Sequence, residues 1–331
     1  MVNKLALKCA DLNSPYCPCL LSDTNHCFFC SHLQGKSVCG CNWSGVCAFY
    51  EKKWRPQTKI KQYDDLGLAA PVRLEVETKF TVVNQICANT YEIEFGVSAQ
   101  LAAALQRAGS FVFLRQLDDQ QFYFFPVGVM AVTGNLLRVV IKTSGTKSTR
   151  LLAGGNQSLL VKGPYCNGVF GQPWVENMTE GKILLVAGGL GQAAALPLAA
   201  RLTRPNTGNN VSALLAPGSS GKIFIKERLE NMGVKVAEVA SMRRWGLNMV
   251  KEIISDAAAC PDLIVSAGPD EQHYAVIAAM QPQNIPLAAT NNNTMCCGEG
   301  VCGSCERKTK SGQKIRTCKA QVDFKQLEPR D

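Results

Sequence analysis

The sequence contains no run of about twenty apolar residues, which a membrane-spanning helix would need. Its opening apolar stretch, within residues 1–8, is also shorter than the apolar core of a secretory signal peptide. These absences predict a cytoplasmic protein without a transmembrane segment. Because the cytoplasm is reducing, we expect its sixteen cysteines to serve metal or redox cofactors more than disulfides.

Acidic residues are the scarcer charged type, 26 against 35 lysines and arginines, which gives a formal net charge of +9. Two basic runs, at 52–61 and 307–319, carry much of the excess. No pattern of a nucleic-acid-binding fold accompanies them, so we expect no nucleic-acid partner. Such runs are usually solvated linkers or faces. The alternative is that the second run docks an acidic electron-transfer partner or subunit.

Residues 1–50 have too few apolar side chains to form a core, so burial alone cannot order them. Metal coordination can supply folding energy instead, and eight thiolates are enough for two [4Fe–4S] clusters or for a mixture with zinc. We expect a cysteine-rich metal- or cluster-binding extension here, with a disulfide-stapled or flexible tail as the alternative. The candidate ligands are Cys9, Cys17, Cys19, Cys27, Cys30, Cys39, Cys41 and Cys47. Residues 51–69 have the composition of a linker.

Alternating and β-branched runs fill residues 70–180 and predict an antiparallel β-barrel. Its six candidate strands lie at 72–83, 91–97, 110–117, 122–132, 136–143 and 158–162, with a helical turn at 101–107.

Residues 181–290 change to short apolar strands that alternate with helices, which is typical of a doubly wound α/β parallel sheet. We expect strands at 183–187, 211–216, 234–239, 263–266 and 285–289, and helices at 192–202, 223–232, 247–259 and 272–280. Ligands of such sheets bind at the carboxyl ends of the strands.

Two glycine-containing turns follow predicted strands of this sheet, Gly188-Gly189-Leu190-Gly191 and Gly268-Pro269. Glycines let a dinucleotide pyrophosphate approach the backbone and the amino end of the next helix. The full Gly-x-Gly-x-x-Gly pattern is absent, and glycines also simply tighten strand-to-helix turns. We interpret the two turns together as an NAD(P) site, with the choice between NAD and NADP undecided.

Residues 291–331 hold four cysteines in the spacing Cys-x4-Cys-x2-Cys-x12-Cys: Cys297, Cys302, Cys305 and Cys318. This is the ligand spacing of plant-type [2Fe–2S] ferredoxins. The alternative, a structural zinc site, usually pairs two short cysteine knuckles, whereas here three ligands share one loop. We therefore predict a [2Fe–2S] cluster loop, with the neighbouring Cys296 as a bystander.

Across residues 70–318 the chain resembles the electron-transfer subunit of dihydroorotate dehydrogenase and its relatives in the ferredoxin–NADP reductase superfamily. Those relatives include the small subunit of ferredoxin:NADP transhydrogenases and sulfide-dehydrogenase-type proteins. The resemblance is carried by the order of the parts and by the stretches 110–112, 144–147, 163–168, 185–191 and 267–269 and the cysteine loop.

The resemblance implies FAD in the barrel, near Pro126, Val127, Gly145 and Thr146, and NAD(P) on the sheet. It further implies an NAD(P)H-dependent oxidoreductase subunit in which electrons pass between nicotinamide, flavin, the cluster and a partner. The partner would be an oxidoreductase subunit or a ferredoxin-like carrier, in a hetero-oligomer. No catalytic acid, base or nucleophile is implied, because the cofactors carry the reaction.

Two departures from the family pattern stand out. Phe125-Pro126-Val127-Gly128 replaces a flavin-binding Arg-Pro-x-Ser/Thr, and Ala267 stands where relatives often have a cysteine near the nicotinamide. Loss of the arginine would weaken flavin binding, unless a nearby cation or a stacking aromatic at Phe124 or Phe125 compensates. The alternative function is therefore a flavin-free, non-catalytic relay or docking subunit of a larger redox complex.

Overall fold

The structure is a computed structural model that describes residues 8–11, 16, 73–153, 157–300 and 302–330. Strand β1 (Lys8–Cys9) is followed by six strands that close into an antiparallel barrel in the order β2-β3-β6-β5-β4-β7. These strands are β2 (Leu74–Cys87), β3 (Thr90–Gly96), β4 (Phe111–Gln116), β5 (Phe125–Thr133), β6 (Leu136–Lys142) and β7 (Ser158–Tyr165). The predicted six-stranded barrel is confirmed.

Inward-facing side chains of the barrel strands form a continuous apolar core, which includes Ile93, Phe95, Leu137 and Val161. Helix α1 (Ala99–Ala104) begins at Ser98, whose hydroxyl accepts a hydrogen bond from the Leu101 N–H as an amino-terminal cap. Helix α2 (Thr146–Ala153) lies between β6 and β7.

The second half is a six-stranded sheet with the order β11-β10-β9-β12-β13-β8. Its strands are β8 (Val169–Phe170), β9 (Lys182–Gly188), β10 (Asn210–Ala216), β11 (Lys235–Glu238), β12 (Leu263–Ala267) and β13 (Leu287–Thr290). All are parallel except β8, which runs antiparallel to β13 at the edge. The strand order reverses between β9 and β12, as the prediction of a doubly wound sheet requires.

Helices cover both faces of this sheet, and each face has its own apolar cluster. The helices are α3 (Gln172–Asn177), α4 (Gly191–Leu202), α5 (Lys226–Glu230), α6 (Leu247–Ser255) and α7 (Asp270–Ala279). A π-helical turn (Met242–Gly246) leads into α6. Within the described residues, no helix combines the length and apolarity needed to cross a membrane.

The final part of the chain packs on the face of the sheet that α6 and α7 also cover. Strands β14 (Glu306–Lys308) and β15 (Lys314–Arg316) form a hairpin, and β16 (Ala320–Gln321) pairs with β1. In this pairing Cys9 lies opposite Ala320. Residues near the two ends of the described chain therefore hydrogen-bond to each other.

Candidate functional site

A cleft with a volume of about 930 Å³ opens at the carboxyl ends of β9 and β12. Its lining includes all five predicted nucleotide-binding residues, Gly188, Gly189, Gly191, Gly268 and Pro269. A Cβ atom at Gly191 would lie 2.2 Å from the Ala267 carbonyl oxygen, so only glycine permits this close approach of helix α4 to β12. The cleft is of the size that small-molecule and cofactor sites have.

Further polar side chains line the cleft, among them Ser219, Ser241, Arg243, Asp270, Glu271 and Arg330. They come from four separate parts of the chain, which only the fold brings together. Asp270 had a local signal, because it directly follows Gly268-Pro269. Arg330 had none, because no motif surrounds it.

His273 on helix α7 is fully buried and does not face the cleft as a catalytic group. Its Nδ1 lies 2.8 Å from the Ser266 hydroxyl, and its Nε2 lies 3.1 Å from the Thr290 carbonyl oxygen. Burial lowers the pKa of this imidazole to about 4, so the ring is neutral at physiological pH. Both ring nitrogens are occupied, which agrees with a structural role.

The residues predicted to bind flavin lie on two adjacent elements. Pro126 and Val127 belong to β5, while Gly145 and Thr146 stand at the start of α2. The two elements are joined because the Lys147 ammonium donates to the Phe124 carbonyl oxygen at 2.9 Å. A Cβ atom at Gly145 would meet no heavy atom within 4 Å, so the backbone there is open to a ligand.

The departures from the flavin-binding pattern are visible in β5. Gly128 is exposed, and a Cβ atom there would meet nothing within 4 Å. Phe125 packs against the barrel core, and Phe124 is buried in an aromatic cluster, so neither is a free stacking surface. Arg150, a candidate to replace the missing arginine, is already paired with Asp119.

The cysteine loop packs on the same aromatic cluster, formed by Phe111, Phe113, Phe124 and Tyr165 of the barrel together with Met295, Cys305 and Cys318. Gly298, Gly300 and Gly303 all have positive φ angles, of 69°, 78° and 79°. A Cβ atom at Gly298 would lie only 2.5 Å from Cε1 of Tyr165. The loop can therefore wrap tightly against the barrel because these positions are glycine.

The four predicted cluster ligands interact as two pairs. Burial opposes ionisation of Cys302, yet hydrogen bonds from Ser304 and Cys297 outweigh it and lower its pKa to about 7. A hydrogen bond from Cys318 lowers the pKa of Cys305 to about 6, while the same bond and burial raise the pKa of Cys318. The Glu299 N–H also donates to Cys297 Sγ at 3.3 Å.

Among the residues that the structure describes, no three metal-ligating side chains converge on one point. The donor set nevertheless suits an iron–sulfur cluster, because the Glu299 N–H points at Cys297 Sγ and the loop is closed by glycines with positive φ angles. Cys296 is exposed and outside the two pairs.

The basic run at 307–319 is only partly a surface feature. Arg307, Arg316 and Lys319 are buried, and each forms an ion pair with a carboxylate. Lys308, Lys310 and Lys314 remain exposed, and Lys314 pairs with Glu306. The run therefore offers less free positive charge for docking than its sequence suggests.

A buried network of four charges ties the amino-terminal segment to the cysteine loop. Arg73 pairs with Asp11 at 2.8 Å and with Glu299 at 2.7 Å, and Lys319 pairs with the same two carboxylates. Burial opposes ionisation of both carboxyls, but the two cations outweigh it and lower their pKa values. The charges are thus mutually compensated.

Cys9 is buried beside this network, on the strand that pairs with β16. It is the one predicted amino-terminal ligand within the described residues. The other candidates, Cys17, Cys19, Cys27, Cys30, Cys39, Cys41 and Cys47, lie outside them.

No protein-family model matches the chain. It is 28% identical over 225 residues to the electron transfer subunit of dihydroorotate dehydrogenase B (NAD(+)) from Clostridium perfringens, covering 67% of this chain and 86% of the relative. The corresponding subunit from Clostridium acetobutylicum is 24% identical over 217 residues, which cover 64% of this chain and 82% of the relative.

Among solved structures, the chain is similar to an NADH-dependent reduced ferredoxin–NADP oxidoreductase studied for flavin-based electron bifurcation. The TM-score is 0.59 at 20% sequence identity, over 79% of this chain and 91% of the other. This likeness establishes the fold, and the sequence relatives support a role in electron transfer. In sequence the chain is similar to electron-transfer subunits of dihydroorotate dehydrogenase B, and it has a ferredoxin–NADP reductase-like architecture.

Proposed function

We propose that this chain is an NAD(P)H-dependent flavin and iron–sulfur subunit that exchanges electrons with a partner oxidoreductase. The observation that carries the proposal is the cleft at the ends of β9 and β12, which gathers all five predicted nucleotide residues. The sequence relatives are named as electron transfer subunits of an NAD(+)-dependent enzyme, which supports the same role and a hetero-oligomeric assembly.

The chain's own residues would bind and orient the cofactors. The backbone at Gly188–Gly191 and the amino end of the twelve-residue helix α4 suit a pyrophosphate. Pro126, Val127, Gly145 and Thr146 would hold FAD, and Cys297, Cys302, Cys305 and Cys318 would hold a [2Fe–2S] cluster. When bound, these groups supply hydride and single-electron chemistry.

The aromatic cluster formed by Phe111, Phe113, Phe124 and Tyr165 lies between the barrel and the cysteine loop. Phe111 and Tyr165 stack with ring centroids 5.2 Å apart, and Phe113 meets Tyr165 edge-on at 5.0 Å. These rings belong to the barrel strands and contact the cysteine loop directly. They would exclude water from the space beside the cluster ligands and fix the loop relative to the flavin-binding strands.

A second function is favoured by the β5 sequence. Phe125 and Gly128 leave the barrel without the arginine and hydroxyl that relatives use for flavin, and Arg150 is engaged elsewhere. A flavin-free subunit that relays electrons or docks partners within a larger complex would tolerate this loss.

Anaerobic purification with quantification of flavin, iron, acid-labile sulfide and zinc, before and after addition of NADH or NADPH, tests both functions. Stoichiometric FAD with bleaching of the visible spectrum by one nucleotide is expected for the reductase. Iron and sulfide without flavin or bleaching would leave the relay subunit, and zinc without sulfide would exclude both.

A further inference from the structure

The segment from Leu327 to Arg330 is fixed along one edge of the nucleotide cleft. The Glu328 carbonyl oxygen accepts hydrogen bonds from Arg307 at 2.6 Å and from the Tyr274 hydroxyl at 2.9 Å. The Glu328 N–H donates to the Lys308 carbonyl oxygen at 3.0 Å. These bonds anchor the residues immediately before Pro329 and Arg330, which both line the cleft.

The Arg330 side chain belongs to a group of three charges with a net positive charge. Its Nε lies 3.4 Å from Asp270 Oδ2, and that oxygen already pairs with Arg307 Nη1 at 2.9 Å. The other partner of Arg330 is the Asn293 amide oxygen, which is neutral. One carboxylate therefore compensates only one of the two guanidinium groups.

The surplus charge is available on the Arg330 side of this group. The Arg307 side chain is 4% exposed, whereas that of Arg330 is 41% exposed. Within the described residues, Arg243 and Arg330 are the basic side chains that line the cleft, and Asp270 and Glu271 are the acidic ones. A nicotinamide dinucleotide is an anion, and a guanidinium matches phosphate oxygens in both charge and geometry.

We propose that Arg330 binds a phosphate of the nicotinamide nucleotide, so that the segment from Leu327 to Arg330 is a functional wall of the cleft. This inference rests on the proposed function, because it assigns a further binding residue to the same nucleotide site. Arg307 and Asp270 then act as positioning residues for Arg330.

Calorimetric titration of the full chain with NADH and with NADPH tests this assignment. Arg330→Gln should weaken binding of the preferred nucleotide about tenfold, because one charge-assisted contact is lost. It should also make the dissociation constant less dependent on salt, whereas Arg330→Lys should recover part of the affinity. Arg244→Gln is the matched control, since it removes an equal charge from an exposed residue that does not line the cleft.

The outcomes distinguish failure of the proposed function from failure of the Arg330 assignment. A wild-type chain that binds neither nucleotide would contradict the proposed function itself. Tight wild-type binding with an unchanged Arg330→Gln variant, or with equal weakening by Arg244→Gln, would overturn only the role of Arg330. Thermal unfolding of each variant identifies a folding defect. If Arg330→Gln is defective in folding, the nucleotide affinity of Arg330→Lys is compared with that of wild type. A loss of affinity in Arg330→Lys as large as in Arg330→Gln would overturn the role of Arg330.

Discussion

At the scale of single residues, the cysteine loop depends on backbone conformations that few amino acids adopt. Gly298 combines a φ of 69° with close contact to Tyr165 and Phe113. Gly312, in the turn between β14 and β15, has a similar φ of 80°, but a Cβ atom there would meet no heavy atom within 4 Å. Comparison of Gly298 with Gly312 therefore separates the free-energy cost of a positive φ from the cost of a steric clash with neighbouring side chains.

Gly298→Ala should therefore lower the iron and acid-labile sulfide content per chain, and should destabilise more than Gly312→Ala. A positive φ alone costs a non-glycine residue about 1–2 kcal/mol, and only Gly298 adds a steric clash. Thermal unfolding and iron analysis of both variants provide the measurement. If both variants were equally stable and kept a full iron content, the close approach of Gly298 to Tyr165 would not matter for the cysteine loop.

His273 should make stability depend on pH below neutrality. Its pKa is lowered from 6.5 to about 4 by burial, so the unfolded chain binds a proton that the folded chain excludes. Stability should be unaffected above pH 6.5 and fall by up to about 3 kcal/mol as pH drops toward 4. Urea unfolding at pH 7 and pH 4.5 measures this, and a His273→Gln variant should lose less stability over the same interval.

At the scale of elements, alternation of apolar residues predicted the barrel and the sheet because burial on one or both faces fixes that pattern. The differences between the predicted and the observed strands have local causes. Strand β2 continues past the predicted end at 83 to Cys87, since two register shifts keep an exposed stretch paired with β3. Strand β8 was not predicted, because two residues are too few to show a period.

Helix boundaries were less predictable than strand positions. Helix α5 spans only Lys226–Glu230, within the longer stretch predicted at 223–232. Helix α6 ends at Ser255, four residues before the predicted end, where Asp256 adopts an extended conformation and its side chain accepts a bond from the Ala258 N–H. Aspartate competes for backbone hydrogen bonds in this way, and periodicity does not reveal it.

Strand β5 offers a gain-of-binding prediction. Gly128→Ser should fit without loss of stability, because its Cβ atom would meet no heavy atom within 4 Å, and its hydroxyl should tighten FAD binding by up to about tenfold. Gly96→Ser is the control, a strand glycine that is equally uncrowded but outside the predicted flavin residues. Quenching of flavin fluorescence gives the two affinities, and identical values would argue against a flavin contact at this position.

The pairing of β1 with β16 should depend on the buried charge network. Asp11→Asn leaves Arg73 and Lys319 sharing one carboxylate, which should cost about 3–5 kcal/mol at neutral pH. Glu75→Gln, which breaks the exposed pair with Lys162, should cost less than about 1 kcal/mol.

The same buried charge network also predicts how the stability of the folded state changes with pH. The pKa values of Asp11 and Glu299 are lowered below their usual 3.8 and 4.5. The two carboxylates therefore stabilise the folded state fully above these usual values, and this stabilisation is lost as pH falls through the folded-state pKa values. The stability gap between wild type and Asp11→Asn should therefore narrow in acid. Denaturant midpoints from pH 7 to pH 3 measure it, and a gap that widens in acid would contradict the assignment.

At the scale of the whole molecule, the two glycine-containing turns were predicted at the carboxyl ends of the strands, and both line the cleft there. The roles of Arg330 and Asp11 were not predicted, and the only signal at Asp270 was its place directly after Gly268-Pro269. Each of these residues gains its role from a partner far away in the chain, such as Arg307 for Asp270 or Lys319 for Asp11. Their pairing depends on three-dimensional assembly, which no local pattern encodes.

The contact between β1 and β16 also bears on the order of events during synthesis. The ribosome makes Cys9 about 310 residues before its strand partner Ala320. Domains can fold as they emerge, but β1 can pair with β16 only after Ala320 and Gln321 have been translated. Cys9 is therefore synthesised long before β16 can pair with its strand, so its thiol lacks this cover while residues 10–319 are made.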